Sequence, residues 1–271
     1  MPILNIAGYQ FVPLNNLDDL KTQLVALCKA HALLGTILLS PEGININLAG
    51  EVTDVELFLS AMKAIKFFSE MRFHQTYSTM IPFQSLKIKI KKEIITFHQP
   101  KANPLNAGRA SSISPEELKK WLDEKRDITL LDTRNDYEFR FGTFIGAINL
   151  HLHNFSELAE AVTTINPHKP VVMFCTGGIR CEKAALYMLH NGFDQVYQLD
   201  GGILGYFAKV GGAHYQGECF VFDERIALDP QLKDTDTIQC LACHGPVNLE
   251  DQHSHAYVRG VSCPSCQAIS S

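Results

Sequence analysis

The chain has 271 residues, 46% of them hydrophobic and 20% charged, which is enough for two cored modules and excludes a disordered or fibrous protein. Its longest apolar stretch, Ala32 to Leu39, is far short of a membrane-spanning helix, and the amino terminus lacks a basic segment followed by an apolar core, so a cytoplasmic location is expected. The formal net charge of −5 is unevenly spread: up to Lys101 there are ten Lys/Arg against eight Asp/Glu, leaving fourteen against twenty-one for the remainder.

Residues 1–98 read as one module. Residues 3–12 alternate weakly and predict a strand, and Leu17, Leu20, Leu24, Leu27 and Ala30 have the spacing of a helix running to Leu34. Thr36–Leu39 and Ile44–Leu48 predict two more strands on either side of Pro41-Glu42-Gly43. A second helix, capped by Thr53 or Asp54, is expected to run to about Phe67, with strands from Met71 to Tyr77 and from Leu86 to Phe97. The order βαββαβ predicts a ferredoxin-like, acylphosphatase-like α+β sandwich. Its late positive residues, Lys87, Lys89, Lys91 and Lys92, are the candidates for contact with a polyanion. Lysines alternating along a strand also serve as a solvated face or as protection of a sheet edge.

Residues 99–113 hold two prolines, two asparagines and a glycine, and read as a linker. Residues 114–218 then form a second module. Ser114-Pro115-Glu116-Glu117 opens a helix, because serine accepts the first free N–H groups, proline suits the first helical position and the acids complement the dipole. Strands at Ile128–Asp132, Pro170–Cys175 and Gln195–Leu199 alternate with helices, which predicts an α/β domain on a parallel sheet.

The chemistry concentrates where the second of these strands ends. Val171-Val172-Met173-Phe174 leads into Cys175-Thr176-Gly177-Gly178-Ile179-Arg180-Cys181, a strand, a tight turn and a helix start. A sulfur placed before the free N–H groups of a helix feels a partial positive charge, and Arg180 adds a full one, so the Cys175 thiol is expected to ionise well below the roughly 8.5 of a free cysteine. Thr176, Gly177, Gly178 and Ile179 form the anion-binding loop, with glycines that let the N–H groups turn inward. A cysteine behind four apolar residues is otherwise a small buried hydrophobe. Asp132 and Arg134 also end an apolar strand, and the rule that ligands bind at the carboxyl ends of parallel strands places them in the same crevice, Asp132 in a structural role. Cys181 reads either as a packed residue or as a thiol that resolves an oxidised Cys175.

Residues 219–271 form an extension that carries Cys240-Leu-Ala-Cys243 and Cys263-Pro-Ser-Cys266. Two such pairs match a structural zinc ribbon, in which four thiolates leave no open coordination position; His244, His253 and His255 are alternative ligands. With eight cysteines and no secretory signal, metal ligation is expected over a disulfide framework.

The Cys175–Arg180 run, together with Asp132-Thr133-Arg134-Asn135-Asp136-Tyr137-Glu138 and Gly142-Thr143-Phe144-Ile145-Gly146-Ala147, resembles a rhodanese domain. Adding Ser40-Pro41-Glu42-Gly43-Ile44-Asn45 and Asn103-Pro104, the chain resembles the rhodanese-containing, oxygen-dependent tRNA uridine hydroxylases over residues 3–243. That resemblance implies 5-hydroxylation of the wobble uridine with molecular oxygen as co-substrate, a tRNA partner, and an essential cysteine at the position of Cys175. The sequence carries no GxGxxG, P-loop or two-His-one-carboxylate motif, so a persulfide or sulfenate on Cys175 is a candidate participant, with the electron or sulfur donor left open. Two rival readings stand beside it: transfer of sulfur from thiosulfate, which Cys175 and Arg180 alone would serve, and an RNA-binding or scaffolding module with an incidental thiol. A phosphatase is disfavoured, because only four residues separate Cys175 from Arg180.

Overall fold

The computed structural model describes residues 2–266. The first domain contains β1 (Ile3–Phe11), α1 (Leu17–Ala30), β2 (Leu34–Ser40), β3 (Gly43–Glu51), α2 (Val52–Ala64), β4 (Phe73–Ser78) and β5 (Leu86–Ile90). Its sheet runs β4-β1-β3-β2-β5; β1 pairs antiparallel with β3 and β4, β2 antiparallel with β3, and β5 parallel with β2. This is the ferredoxin-like order with one strand added at the β2 edge. Leu4, Ile6, Ile37, Ile46 and Leu48 join Leu24 of α1 and Phe58 of α2 in one core, so both helices cover one face of the sheet.

Three boundaries differ most from expectation. α1 ends at Ala30 and does not reach Leu34, because Leu34 already opens β2. α2 starts at Val52 with no side-chain cap, so neither Thr53 nor Asp54 serves as its N-cap. The strand expected from Leu86 to Phe97 stops at Ile90, because Glu93 turns the chain: its carboxylate accepts the N–H groups of Phe97 and His98 and meets the Lys183 ammonium at 2.6 Å. Beyond it, Ile94 and Phe97 are buried.

The segment 99–113 is more than a tether. It contains the short helix α3 (Pro104–Ala107), capped by the Asn103 carbonyl oxygen of the side chain, and β6 (Ser111–Ile113), an edge strand of the second domain. There follow α4 (Pro115–Asp123), β7 (Thr129–Asp132), α5 (Asp136–Phe141), β8 (Gly142–Phe144), β9 (Ile148–Asn149), α6 (Leu158–Ala161), β10 (Val171–Phe174), α7 (Ile179–His190), β11 (Val196–Leu199) and α8 (Gly202–Val210). Ser114 caps α4 by accepting from the Glu117 N–H, with Pro115 in the first turn. The sheet β6-β11-β10-β7-β9 is parallel throughout. Val171 and Met173 pack into one core and Val172 and Phe174 into another, which is why β10 reads as an unbroken apolar run: both its faces are covered.

The extension adds β12 (Tyr215–Gly217), paired with β8, the hairpins β13 (Cys219–Phe220)–β14 (Ala227–Leu228) and β15 (Ile238–Gln239)–β16 (Pro246–Val247), and the short helix α9 (Leu249–Gln252). Among the described residues no helix is long and apolar enough to cross a membrane.

The two domains are joined by buried charge as well as by chain. Lys183 of α7 donates to Glu42 at 2.8 Å, to Glu93 and to the Ile95 carbonyl, and Asn103 donates to the second Glu42 oxygen. Lys183 is almost fully buried. A buried ammonium needs all of these acceptors to offset its lost hydration, and together they fix the first sheet over the end of β10.

Candidate active site

Between the domains lies a cavity of about 650 Å³. One wall is the open face of the first sheet; the other is the loop from Cys175 to Arg180, where β10 passes into α7. Sequence periodicity explains the first wall. In β1 the odd residues Asn5, Ala7 and Tyr9 face away from the helices, and pairing brings Asn45 and Asn47 of β3, Thr36 and Leu38 of β2 and His74 and Thr76 of β4 onto the same face.

Cys175 sits at the floor, and none of its surface reaches water. Its sulfur accepts the Gly178 N–H at 3.1 Å. Gly178 is the N-cap of α7 with φ +100°, a conformation that favours glycine, and a Cβ there would come within 2.9 Å of the Tyr9 hydroxyl. Beneath the loop, the N-terminus of α8 holds the carbonyls of Cys175 and Thr176 through the N–H groups of Ile203 and Leu204. A Cβ on Gly202 would clash with the Cys175 carbonyl at 2.4 Å. Burial by itself disfavours the Cys175 thiolate, but a hydrogen bond from the Cys181 thiol, the Arg180 guanidinium and the N–H groups of Arg180 and Gly178 outweigh it, and the ionisation falls below the ordinary cysteine value. Cys181 moves the opposite way, raised by burial and by its thiolate neighbour; its sulfur lies 3.6 Å from the Thr133 hydroxyl.

The loop differs from a cradle open to an anion. Arg180 is buried and donates to both oxygens of Glu138 at 2.6 and 2.7 Å, and Thr176 also faces Glu138. Arg180 holds the Glu138 carboxyl below its usual range against the opposing effect of burial. The guanidinium therefore acts on the sulfur from inside a matched pair. Asp223 and Arg225, also in the lining, are bidentate to one another, and Arg225 reaches Thr76 of the first domain at 2.7 Å. With these pairs closed, the cavity walls present hydroxyls, amides and apolar surface, and among its described lining the Cys175 thiolate is the one full charge without an ion-pair partner of its own.

Asp132 and Arg134 do not reach it. They form a wholly buried bidentate pair, with Arg134 donating also to the Gly142 carbonyl and Thr143 to Asp132. Their place is below the end of β7, where they tie it to β8. Lys87 and Lys89 lie on the edge strand β5, exposed, with Lys91 and Lys92 just beyond it; none of the four lines the cavity.

Four residues of the site escaped the sequence reading. Glu138 belonged to a motif without an assigned role. Tyr9 donates to Glu182 at 3.3 Å and roofs Gly178. His74 packs on Gly177 and Gly201, and burial lowers its ionisation, so its ring stays neutral near pH 7. Both come from the other domain and carry no local signal. Gly202 had one: Asp200-Gly201-Gly202 follows a strand directly and opens a helix.

A second cysteine site lies in the extension. The sulfurs of Cys240, Cys243, Cys263 and Cys266 lie within 4.8 Å of one another, and Cys240–Cys266, Cys243–Cys263 and Cys263–Cys266 are 3.7, 3.7 and 3.6 Å apart. These separations are far beyond a disulfide bond of about 2.05 Å and match the edges of a tetrahedron around a metal bonded at about 2.3 Å. The cluster could hold a metal. The histidines are not part of it: His244 turns its ring toward Tyr137. Arg140 of α5 donates to the Cys243 carbonyl and fastens the cluster to the second domain.

The geometry agrees with comparisons to known proteins. Residues 3–94 match the family profile described as UPF0176 acylphosphatase like domain, and residues 114–209 the Rhodanese-like domain. A tRNA uridine(34) hydroxylase of Cupriavidus taiwanensis is 46% identical over 98% of this chain and 97% of its own, and one of Burkholderia ambifaria 43% identical over 100% and 99%. The crystal structure of a rhodanese-related protein from Thermoplasma volcanium covers 37% of this chain and 93% of its own at 25% identity, with a TM-score of 0.33, a likeness that carries no argument by itself. The chain belongs to the tRNA uridine(34) hydroxylase family.

Proposed function

We propose that this chain hydroxylates carbon 5 of the wobble uridine of tRNA with molecular oxygen, and that Cys175 takes part in the oxygen transfer. The observation that carries the reading is the cavity between the domains. At about 650 Å³ it is within the roughly 300–1,000 Å³ of small-ligand sites, it ends on an ionisable sulfur, and its neutral polar walls suit a flipped-out base better than a phosphate or thiosulfate. A free anion would need an unmatched cation beside the sulfur, and Arg180 is committed to Glu138.

The chemistry balances on residues of this chain plus oxygen. Dioxygen gives one atom to carbon 5, where the C–H bond becomes C–OH, and the other to the Cys175 thiolate, which becomes a sulfenate; uracil and sulfur each lose two electrons. The Cys181 thiol, hydrogen-bonded to Cys175, then attacks the sulfenate sulfur, closing a disulfide and, with one proton, releasing water. A thiol reductant restores both cysteines, which is available to a cytoplasmic enzyme. We assign Lys87, Lys89, Lys91 and Lys92 to the RNA backbone, and zinc to the four cysteines of the extension, where four thiolates saturate the metal and give it a structural role.

The test compares nucleosides digested from tRNA of cells carrying the intact chain or Cys175→Ser. Loss of 5-hydroxyuridine derivatives in the variant, at least on the order of 10³-fold, is expected. Unchanged tRNA together with lost sulfur transfer from thiosulfate would overturn the proposal in favour of a sulfurtransferase.

A further inference from the structure

Resting on that reading of the cavity, we propose that Asn47 recognises the Watson–Crick edge of the target uracil, and that Ala7 leaves the space in which the base lies. The register aligns one residue from each strand in a row across the open face: His74, Ala7, Asn47, Thr36 and Lys87. His74, at one end, packs against Gly177 of the Cys175 loop; Lys87, at the other, is exposed on the sheet edge. Two strand spacings, about 10 Å, separate His74 from Asn47, and only the methyl group of Ala7 stands between them. That trough opens into the cavity.

Asn47 is half-buried, and its Nδ2 donates to Asn45 Oδ1 at 3.4 Å. This contact sets which way the amide points, leaving Oδ1 with no partner among the described residues. Uracil offers a donor, N3–H, beside an acceptor, O2, and an amide meets both. Cytosine turns an unprotonated N3 to the same oxygen and is repelled. Carbons 5 and 6 lie across the ring from O2 and N3, so a base held at Asn47 by that edge presents its C5–C6 edge toward the Cys175 loop. Further along the row, Thr36 and Lys87 continue outward toward the sugar and phosphate, so neutral groups face the base and the cation faces the backbone.

The experiment measures binding of anticodon stem–loop RNAs carrying U34, C34 or an abasic site to the full-length chain without oxygen. The wild type is expected to favour U34 over C34 on the order of 10- to 100-fold. Asn47→Leu is expected to erase that preference and lower U34 affinity to that of the abasic RNA. Ala7→Leu, which fills the trough, is expected to lower U34 affinity likewise and to raise KM for hydroxylation of the U34 RNA. Both substitutions lie on the face away from the core, and wild-type affinity for the abasic RNA shows that a variant is folded; a variant that loses it leaves the decision to the other. Retained U34 preference in Asn47→Leu, or wild-type U34 binding in Ala7→Leu, would overturn the assignment. Hydroxylation of the U34 RNA by the wild type in air is measured separately, so failure of the hydroxylase reading is distinguishable from failure of the assignment.

Discussion

The chain gathers cysteines at two sites, and their surroundings deal with negative charge by opposite means. At Cys175 one sulfur is surrounded by the Gly178 N–H, the Cys181 thiol and a guanidinium that is itself matched by Glu138. In the extension four sulfurs crowd each other to 3.6–3.7 Å at their closest, an arrangement in which like charges repel unless a cation sits among them. The first site keeps its charge balanced with protein groups and so leaves the sulfur available to a substrate. The second could reach its balance with a metal, and four thiolates around one would leave it no open position.

The largest effect should come from the second site. Cys263→Ser removes one of four ligands, and because binding of structural zinc is worth on the order of 10 kcal/mol in small modules, residues around 238–266 should lose metal and become protease-sensitive. Elemental analysis and limited proteolysis check this, and retained metal in the variant would remove the tetrahedral reading. Reactivity at Cys175 should persist.

Glu138→Gln strikes the first site where the other has no counterpart. It leaves the Arg180 guanidinium buried without its partner, and should destabilise the fold by about 3–5 kcal/mol, read from denaturant unfolding. A change below 1 kcal/mol would mean that the pair is not sealed from water.

The smallest test sharpens the contrast through pH. Cys175 ionises near pH 6, so the thiolate dominates above that value and is lost as pH falls through it. Alkylation of Cys175 should be level above pH 7 and drop about tenfold per unit well below 6. A profile still rising at pH 8–9 would show an ordinary thiol and weaken the mechanism built on it.

Local devices were legible in the sequence because their causes lie within a few residues. The strand–turn–helix around Cys175, the Ser114 cap and the spacing of Cys240, Cys243, Cys263 and Cys266 all depend on neighbours in the chain. The βαββαβ order of the first domain and the parallel sheet of the second also followed from apolar periodicity. Glu138 was not legible as the partner of Arg180, since they stand 42 positions apart in the chain, nor was Lys183 as the partner of Glu42, 141 positions away. The end of β5 was missed for the same reason: Glu93 turns the chain by binding an ammonium from the other domain.

By itself the sequence determined which cysteine would be placed before a helix N-terminus and which four would come together, because turn chemistry and pair spacing are short-range. Only the tertiary structure decided what faces that sulfur. The packing of one domain over the other brought Tyr9 and His74 to the loop, and the fold of the second closed Arg180 onto Glu138, so the walls around the sulfur are hydroxyls and amides, since burying further unmatched charge there would be costly.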